Sequence, residues 1–167
     1  MSKTENNIEE AFSGESKARS KYTFFAEKAE EEGKSQIAKL FRAAALAEEI
    51  HAGNHFKTMD GLKTTKENLL SAIQGENYEH TEMYPEFVET AQEESKEQAE
   101  KWFDYALKVE KKHEEFYREA LEAIENDNDL SESDWFVCEV CGNTVRGEAP
   151  ENCPICGAPR EKFQEVD

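Results

Sequence analysis

"ALKVEKKHEEF", residues 106–116, keeps helical time in its apolar positions until the next places on the stripe fall to Glu110 and His113. A helix face turned toward a core has no cheap use for a carboxylate and an imidazole. The same anomaly stands earlier, in "ALAEEIHAGNHF" at 45–56, with Glu48 and His51. The two stretches are related. "EEGKSQIAKLF" at 31–41 aligns with "EESKEQAEKWF" at 93–103, and the same spacing pairs Phe41, Ala44, Glu48 and His51 with Phe103, Ala106, Glu110 and His113. "GE" at 14–15 pairs with "GE" at 75–76, one residue out of step. A duplicated helical hairpin explains all of this, and it makes the two Glu-x-x-His pairs equivalents in a pseudo-twofold arrangement.

Working outward, four helices emerge. The first runs from Ile8 to about Ala29, with Ile8, Ala11, Phe12, Ala18, Phe25 and Ala29 on one stripe that also carries Glu15 and Tyr22. Gly33 breaks it, and the second extends from Ser35 toward Met59. After "DGLKTT", with Thr65 as the expected cap, the third carries Leu69, Ala72, Ile73, Glu76, Glu79, Met83 and Phe87, with Pro85 set to bend it or end a segment. The fourth shows Ala99, Phe103, Ala106, Glu110, His113, Tyr117 and Ile124. "NDNDLSES" at 126–133 has no stripe and many breakers. The expected organisation is a helical bundle at 1–127, a linker at 128–133 and a small domain at 134–167.

Five glutamates, Glu15, Glu48, Glu76, Glu79 and Glu110, should thus project into one bundle. Their repulsion would open it unless protons or a multivalent cation neutralise them. One Glu from each of two helices plus Glu-x-x-His from each of the others is the pattern of dinuclear carboxylate sites for iron or manganese. Glu79 is surplus, since Ala18 stands at its place in the first half. Ferric ion prefers carboxylate oxygen and ferrous ion accepts imidazole, so an iron choosing between Glu79 and His51 would change partner with oxidation state. His55 has no matching carboxylate partner and reads as an ordinary surface residue; His80 reads as a neighbour of the site or a surface residue.

All four cysteines fall at 138–156 as two C-x-x-C pairs in "CEVCGNTVRGEAPENCPICGAP", the spacing of a tetrathiolate metal site. A structural zinc would use the same residues. Iron would make the tail a one-electron carrier, which suits a chain that also holds a dinuclear site. With 20 basic and 38 acidic residues the net charge is −18, which argues against nucleic acid and anionic membranes. The longest purely apolar stretch is "AAALA" at 43–47, so neither a signal peptide nor a membrane span is expected, and the location inferred is cytoplasmic.

"GESKARSKY", "AEEIHA", "GENYEHTEMYPEF" and "VEKKHEEF", with the cysteine tail, resemble the rubrerythrin family over nearly the whole chain. The resemblance implies an all-α ferritin-like four-helix bundle with a small C-terminal rubredoxin-like metal-binding domain. It implies diiron ligands Glu15, Glu48, His51, Glu76, Glu79, Glu110 and His113, and mononuclear iron ligands Cys138, Cys141, Cys153 and Cys156, where zinc can substitute. Tyr22 and Tyr84 match tyrosines near the family's site. The implied activity is reduction of hydrogen peroxide, with electrons from NAD(P)H delivered through rubredoxin or a flavoprotein reductase. In the family one iron exchanges Glu for His on reduction, in line with Glu79 and His51. The competing readings are a ferroxidase or iron-handling protein with a structural zinc tail, and a redox sensor.

The link between the second and third helices is short. Helices of about 25 residues are ~37 Å long, whereas the link from about Met59 to Lys66 reaches at most ~25–29 Å. A helix-swapped homodimer is therefore expected, with helices one and two of each chain pairing with helices three and four of the other. The tail is expected to dock against the partner subunit's diiron site.

Overall fold

The computed structural model describes residues 2–166, and the chain divides into two units, Met1–Lys63 and Thr64–Asp167. The first is a hairpin of α1 (Lys3–Glu31) and α2 (Ser35–Thr58). A capping box starts α1: Ser2 Oγ accepts from the Glu5 N–H at 3.2 Å and the Glu5 carboxylate accepts from the Ser2 N–H at 2.6 Å. This satisfies donors that a helix start leaves open. The buried residues of the two helices are all alanines, Ala26, Ala29, Ala38, Ala45 and Ala52, small enough for close backbone approach.

The second unit contains α3 (Thr65–Tyr78), a π-helical turn (Glu79–Met83), α4 (Tyr84–Glu93) and α5 (Glu97–Glu125). The cap of α3 is Thr64, one residue before the expected Thr65, because Thr64 can form a reciprocal box with Glu67. The third helix is thus broken into three pieces. Pro85 does end a segment: it sits in the first turn of α4, directly after the π turn whose last bond runs from the Tyr84 N–H to the Glu79 C=O, and it has no N–H with which to continue that pattern.

The two hairpin bends are built alike. In the first, Lys34 N–H bonds Ala29 C=O at 2.8 Å and Gly33 sits at φ 69°. In the second, Lys96 N–H bonds Ala91 C=O at 2.8 Å and Ser95 sits at φ 56°. Both are left-handed helix ends with a 6→1 bond, and only the first uses the residue that adopts this conformation without cost. The aromatic packing repeats too. Tyr22 lies 6.2 Å from Phe41 and Tyr84 lies 6.2 Å from Phe103, ring centre to ring centre, with Phe25 and Phe87 completing equivalent triplets. The duplication seen in the sequence is therefore a duplication of backbone and packing.

The tail forms a three-stranded antiparallel sheet from β1 (Trp135–Cys138), β2 (Thr144–Arg146) and β3 (Phe163–Val166), in the order β2-β1-β3. It packs on α5 of its own chain. Trp135 meets Phe116 edge to face at 4.9 Å, Arg146 pairs with Glu119 at 2.7 Å, and Lys112 Nζ donates to Asn143 Oδ1 and Thr144 C=O, each at 3.2 Å. Spacing and periodicity cannot see such a contact, because Lys112 and Glu119 look like any solvated helix face and Phe116 alone does not say what will cover it.

Candidate metal centres

In the first unit, α1 offers Glu15 and α2 offers Glu48 and His51; one donor atom from each lies within 4.8 Å of the others. His51 Nδ1 is 3.1 Å from the Glu48 carboxylate, the one-turn contact that Glu-x-x-His produces on a helix. Hydrogen bonding between the Glu15 and Glu48 carboxyls raises the Glu15 pKa and lowers that of Glu48, as expected when two acids share a proton. His55 is half-buried on α2, and no hydrogen bond or ion pair joins it to the donor group among the described residues.

In the second unit the equivalent group is Glu76 from α3 with Glu110 and His113 from α5, again within 4.8 Å. His113 Nδ1 is 2.8 Å from Glu110 and 3.8 Å from Glu76. Burial, then the Glu110 charge, pushes the Glu76 carboxyl up to about 7. The hydrogen bond to Glu110 holds His113 above the usual imidazole range. Glu79, first residue of the π turn, is not part of the tight triad. Burial and then Glu110 raise its pKa, and Tyr84 is raised by burial and then by Glu110, Glu79 and Glu76, so both side chains face the same acidic cluster. Tyr22 belongs to the corresponding aromatic triplet of the first unit.

Each unit thus carries a set of clustered acids next to an imidazole whose Nδ1 faces them. Acids held this close raise each other's proton affinity, and a divalent ion relieves the same repulsion without a proton. Carboxylate oxygen and imidazole nitrogen are the donors that iron and manganese take, so the residues fit such a group.

In the tail, the thiols of Cys138, Cys141, Cys153 and Cys156 converge within 4.8 Å, with Sγ–Sγ distances of 3.7 Å (Cys138–Cys156) and 3.6 Å (Cys141–Cys153). The two C-x-x-C-G turns match: Gly142 N–H bonds Cys138 C=O at 2.8 Å, Gly157 N–H bonds Cys153 C=O at 2.9 Å, and both glycines have φ 77°. Burial raises the Cys141 and Cys156 thiols. For Cys153 burial also acts upward, but the Cys156 and Ile155 backbone N–H groups outweigh it and bring the thiol down to about 7. Backbone N–H groups aimed at sulfur prepare thiolates for a cation.

Two residues to which the sequence assigned no role at the site belong to this region. Thr144 Oγ1 lies 2.8 Å from His113 Nε2, so the imidazole that faces the acids also touches the first residue of β2, three residues after Cys141. Tyr117, raised in pKa by burial and then by Glu76 and Glu110, lines a cavity of about 380 Å³ with His113, Phe116, Trp135 and Thr144. Tyr117 stands one helical turn beyond His113, on the same stripe, and that was its available signal; Thr144 had none.

Helical hairpins carrying Glu and Glu-x-x-His, joined to a tetrathiolate tail, define the class of dinuclear carboxylate proteins with a thiolate metal domain. The chain matches the rubrerythrin family model over residues 6–121 and the model of the rubrerythrin rubredoxin-like domain over 136–164. It is 35% identical to rubrerythrin-2 of Clostridium acetobutylicum, covering 96% of this chain and 95% of that protein. It is 38% identical to nigerythrin of Nitratidesulfovibrio vulgaris over 96% of this chain and 85% of that one. A solved structure of fully reduced, all-ferrous nigerythrin superposes with a TM-score of 0.57 at 35% identity, covering 99% of this chain and 88% of that one. This chain belongs to the rubrerythrin family. Its fold class is the expected one, helical and ferritin-like with a small rubredoxin-like domain, and its cofactor set is that of the family: a diiron group held by the Glu/His donors and one metal at the four cysteines. Among the described residues no helix is long and apolar enough to cross a membrane.

Proposed function

We propose that this chain is a peroxide reductase. It reduces hydrogen peroxide to water at a diiron site held by Glu15, Glu48, His51, Glu76, Glu79, Glu110 and His113 in residues 1–127. Electrons come from NAD(P)H-linked donors, rubredoxin or a flavoprotein reductase, through iron held by Cys138, Cys141, Cys153 and Cys156 in residues 134–167. Its role is protection against oxidative stress in the cytoplasm.

The observation that carries this reading is the hydrogen bond of 2.8 Å between His113 Nε2 and Thr144 Oγ1. Three peptide links and that one bond connect the Cys141 donor with the His113 donor. A storage protein has no use for such a connection; a reductase needs one.

When bound, two ferrous ions supply the two electrons and the Lewis acidity that cleavage of an O–O bond requires. The balance, one peroxide plus two electrons and two protons giving two waters, leaves the protons to the protein. Glu79 is suited to hold one, since burial and the Glu110 charge raise its carboxyl. Released toward the departing hydroxide, that proton makes it water. Tyr84, which faces Glu110, Glu79 and Glu76, and Tyr22, its counterpart in the aromatic triplet of the first hairpin, are assigned by this proposal to offer hydroxyls to the oxygen atoms or to guard against stray radicals.

The functional form is a homodimer in which the α1–α2 hairpin of one chain completes the site with α3–α5 of the other. The short link after Met59 and the division of the donors into two triads, one per unit, support this. The tail packs on α5 of its own chain through Thr144 and Trp135, and in such a dimer the site beside that α5 is completed by the hairpin of the partner.

The test is anaerobic. Reduced protein carrying about three irons per chain should yield a ferric tetrathiolate absorption band upon stoichiometric peroxide, with two electrons consumed per peroxide. Zinc at the cysteines, or iron oxidised by peroxide while the thiolate iron stays ferrous, would reject the relay in favour of iron handling.

A further inference from the structure

The two hairpins are not identical where the third helix carries its ligands. From Glu15 to Tyr22 the chain advances seven residues along a regular α-helix; from the equivalent Glu76 to the equivalent Tyr84 it advances eight. The additional residue is absorbed by the π turn Glu79–Met83, closed by the Tyr84 N–H bonding Glu79 C=O five residues back. A single-residue insertion into an α-helix produces this, and it costs helix regularity. The π turn therefore accounts both for the one-residue slip between the two "GE" pairs and for the surplus carboxylate, Glu79, which it begins.

What holds the turn is a further carboxylate of α5, Glu114, one helical turn beyond Glu110. Glu114 is only 7% exposed, and its equivalent in the first hairpin, Ala52, is buried to the same degree. Burying a carboxylate where an alanine would do is expensive unless it is fully partnered. Glu114 is partnered by the segment in question: Asn77 Nδ2 donates to both its oxygens at 3.3 Å, and His80 Nε2 makes a short contact to it. Arg118 closes the remaining side, its Nε donating at 2.8 Å. Asn77 follows the ligand Glu76, and His80 follows Glu79. Thr81 Oγ1 caps the Asn77 carbonyl at 2.6 Å. In the first hairpin, where α1 has no π turn, the residues at these places are Ser16, Arg19 and Ala52.

The geometry points to Glu114 as a positioning residue: with Asn77, His80 and Arg118 it clamps the π turn to α5 and so fixes where Glu79 meets Glu110 and His113. The clamp and the inserted residue form one device, present only in the hairpin that carries the surplus ligand. It goes beyond the peroxide-reductase reading but shares its metal site. Such supports change metal affinity by about 10–100-fold when removed.

The experiment uses the full chain with its cysteine site loaded and its bundle metal-free, comparing wild type, Glu114→Ala, Glu114→Gln and His80→Leu. Alanine is sterically acceptable, being what the first hairpin carries. Two readouts are taken: amide hydrogen exchange of residues 79–84, and titration with MnCl2 followed by electron paramagnetic resonance of the coupled manganese pair. Glu114→Ala and His80→Leu should speed exchange in 79–84 by about tenfold or more while α1 and α2 are unchanged, weaken one manganese site by about tenfold and erase the coupled-pair signal. Glu114→Gln, which keeps an acceptor for His80 and Asn77, should restore most of the signal. Exchange within twofold of wild type with an intact manganese pair, or uniform loosening across both units, would overturn the clamp; should Glu114→Ala not fold, His80→Leu decides. A wild-type bundle that takes fewer than two manganese ions would defeat the reductase reading instead, and exchange alone would then decide the clamp.

Discussion

The first hairpin is the simpler of two copies. α1 is uninterrupted, its contact with α2 is lined by alanines, its bend uses Gly33, and its acids meet a histidine, His51, that is exposed. The second hairpin departs at each of these points: a π turn interrupts the helix, Glu114 is buried where Ala52 was, Ser95 replaces the glycine, and His113 is drawn against the tail. The buried Glu114 and the His113 imidazole each come with partners: Asn77, His80 and Arg118 for the first, Glu110 and Thr144 for the second. The difference teaches that two copies of one frame can keep equivalent donor triads while one of them gains an additional carboxylate and a contact with the tail, provided the buried charge that comes with them is satisfied locally.

The widest test of this division asks whether both copies serve one site. Glu48→Ala disables the first triad and Glu110→Ala the second, and each alone should lose peroxide reduction by 100-fold or more. Refolded together, a swapped homodimer regenerates one intact site in half of the dimers, so about a quarter of the activity should return. No recovery on mixing would mean that each site is built within one chain.

Glu79→Ala removes what only the second copy has. Loss of a positioned proton donor should slow O–O cleavage by about 100-fold, while both triads still bind manganese. A rate unchanged in single-turnover stopped flow would count against the proton role. Thr144→Val keeps shape but removes the hydroxyl that pairs with His113 Nε2. The ferric thiolate band after peroxide should then grow about tenfold more slowly, with the initial oxidation of the bundle unaffected.

Acidity separates the metal-free protein from the loaded one. Glu76 is raised from its ordinary 4.5 to about 7 by burial and then by Glu110. The folded state therefore binds more protons than the unfolded one between those values, and this stabilising contribution, complete below 4.5, is lost as pH climbs through 7. Glu79, Glu15 and His113 are raised as well and act in the same sense. Glu114, where burial acts upward but the His80, Arg118 and Asn77 hydrogen bonds hold the pKa down, loses its contribution only at more acid pH. Thermal unfolding midpoints of the metal-free chain should fall from pH 5 to pH 7, and manganese should flatten the slope. A flat profile without metal would mean that the acids do not crowd.

The smallest effect concerns the bends. Ser95 holds φ 56° where its counterpart is Gly33. Ser95→Gly relieves a left-handed strain of ~1–2 kcal/mol and loses part of that to the entropy of the freer unfolded chain. A gain of up to about 1 kcal/mol in denaturant unfolding is expected, and a loss would mean that the Ser95 conformation is not strained.

Residues one helical turn apart, Glu48 with His51 and Glu110 with His113, were legible in the chain because α-helix geometry alone brings them together. The four thiols were legible for a similar reason, since each C-x-x-C-G turn builds its own half of the site. The repeat could be read because duplication left the same residues at the same spacing. The slip between the "GE" pairs was visible in the letters, but whether it became a loop, a kink or a π turn depended on what packed behind it. That Glu114 would be buried against Asn77 and His80, and that Thr144 would reach His113, follows from helices and a sheet meeting across more than thirty residues of chain. Periodicity reports which face of an element is apolar; it carries no information on which polar residue of a neighbouring element will arrive to satisfy a buried charge, and that was decided only when the elements packed.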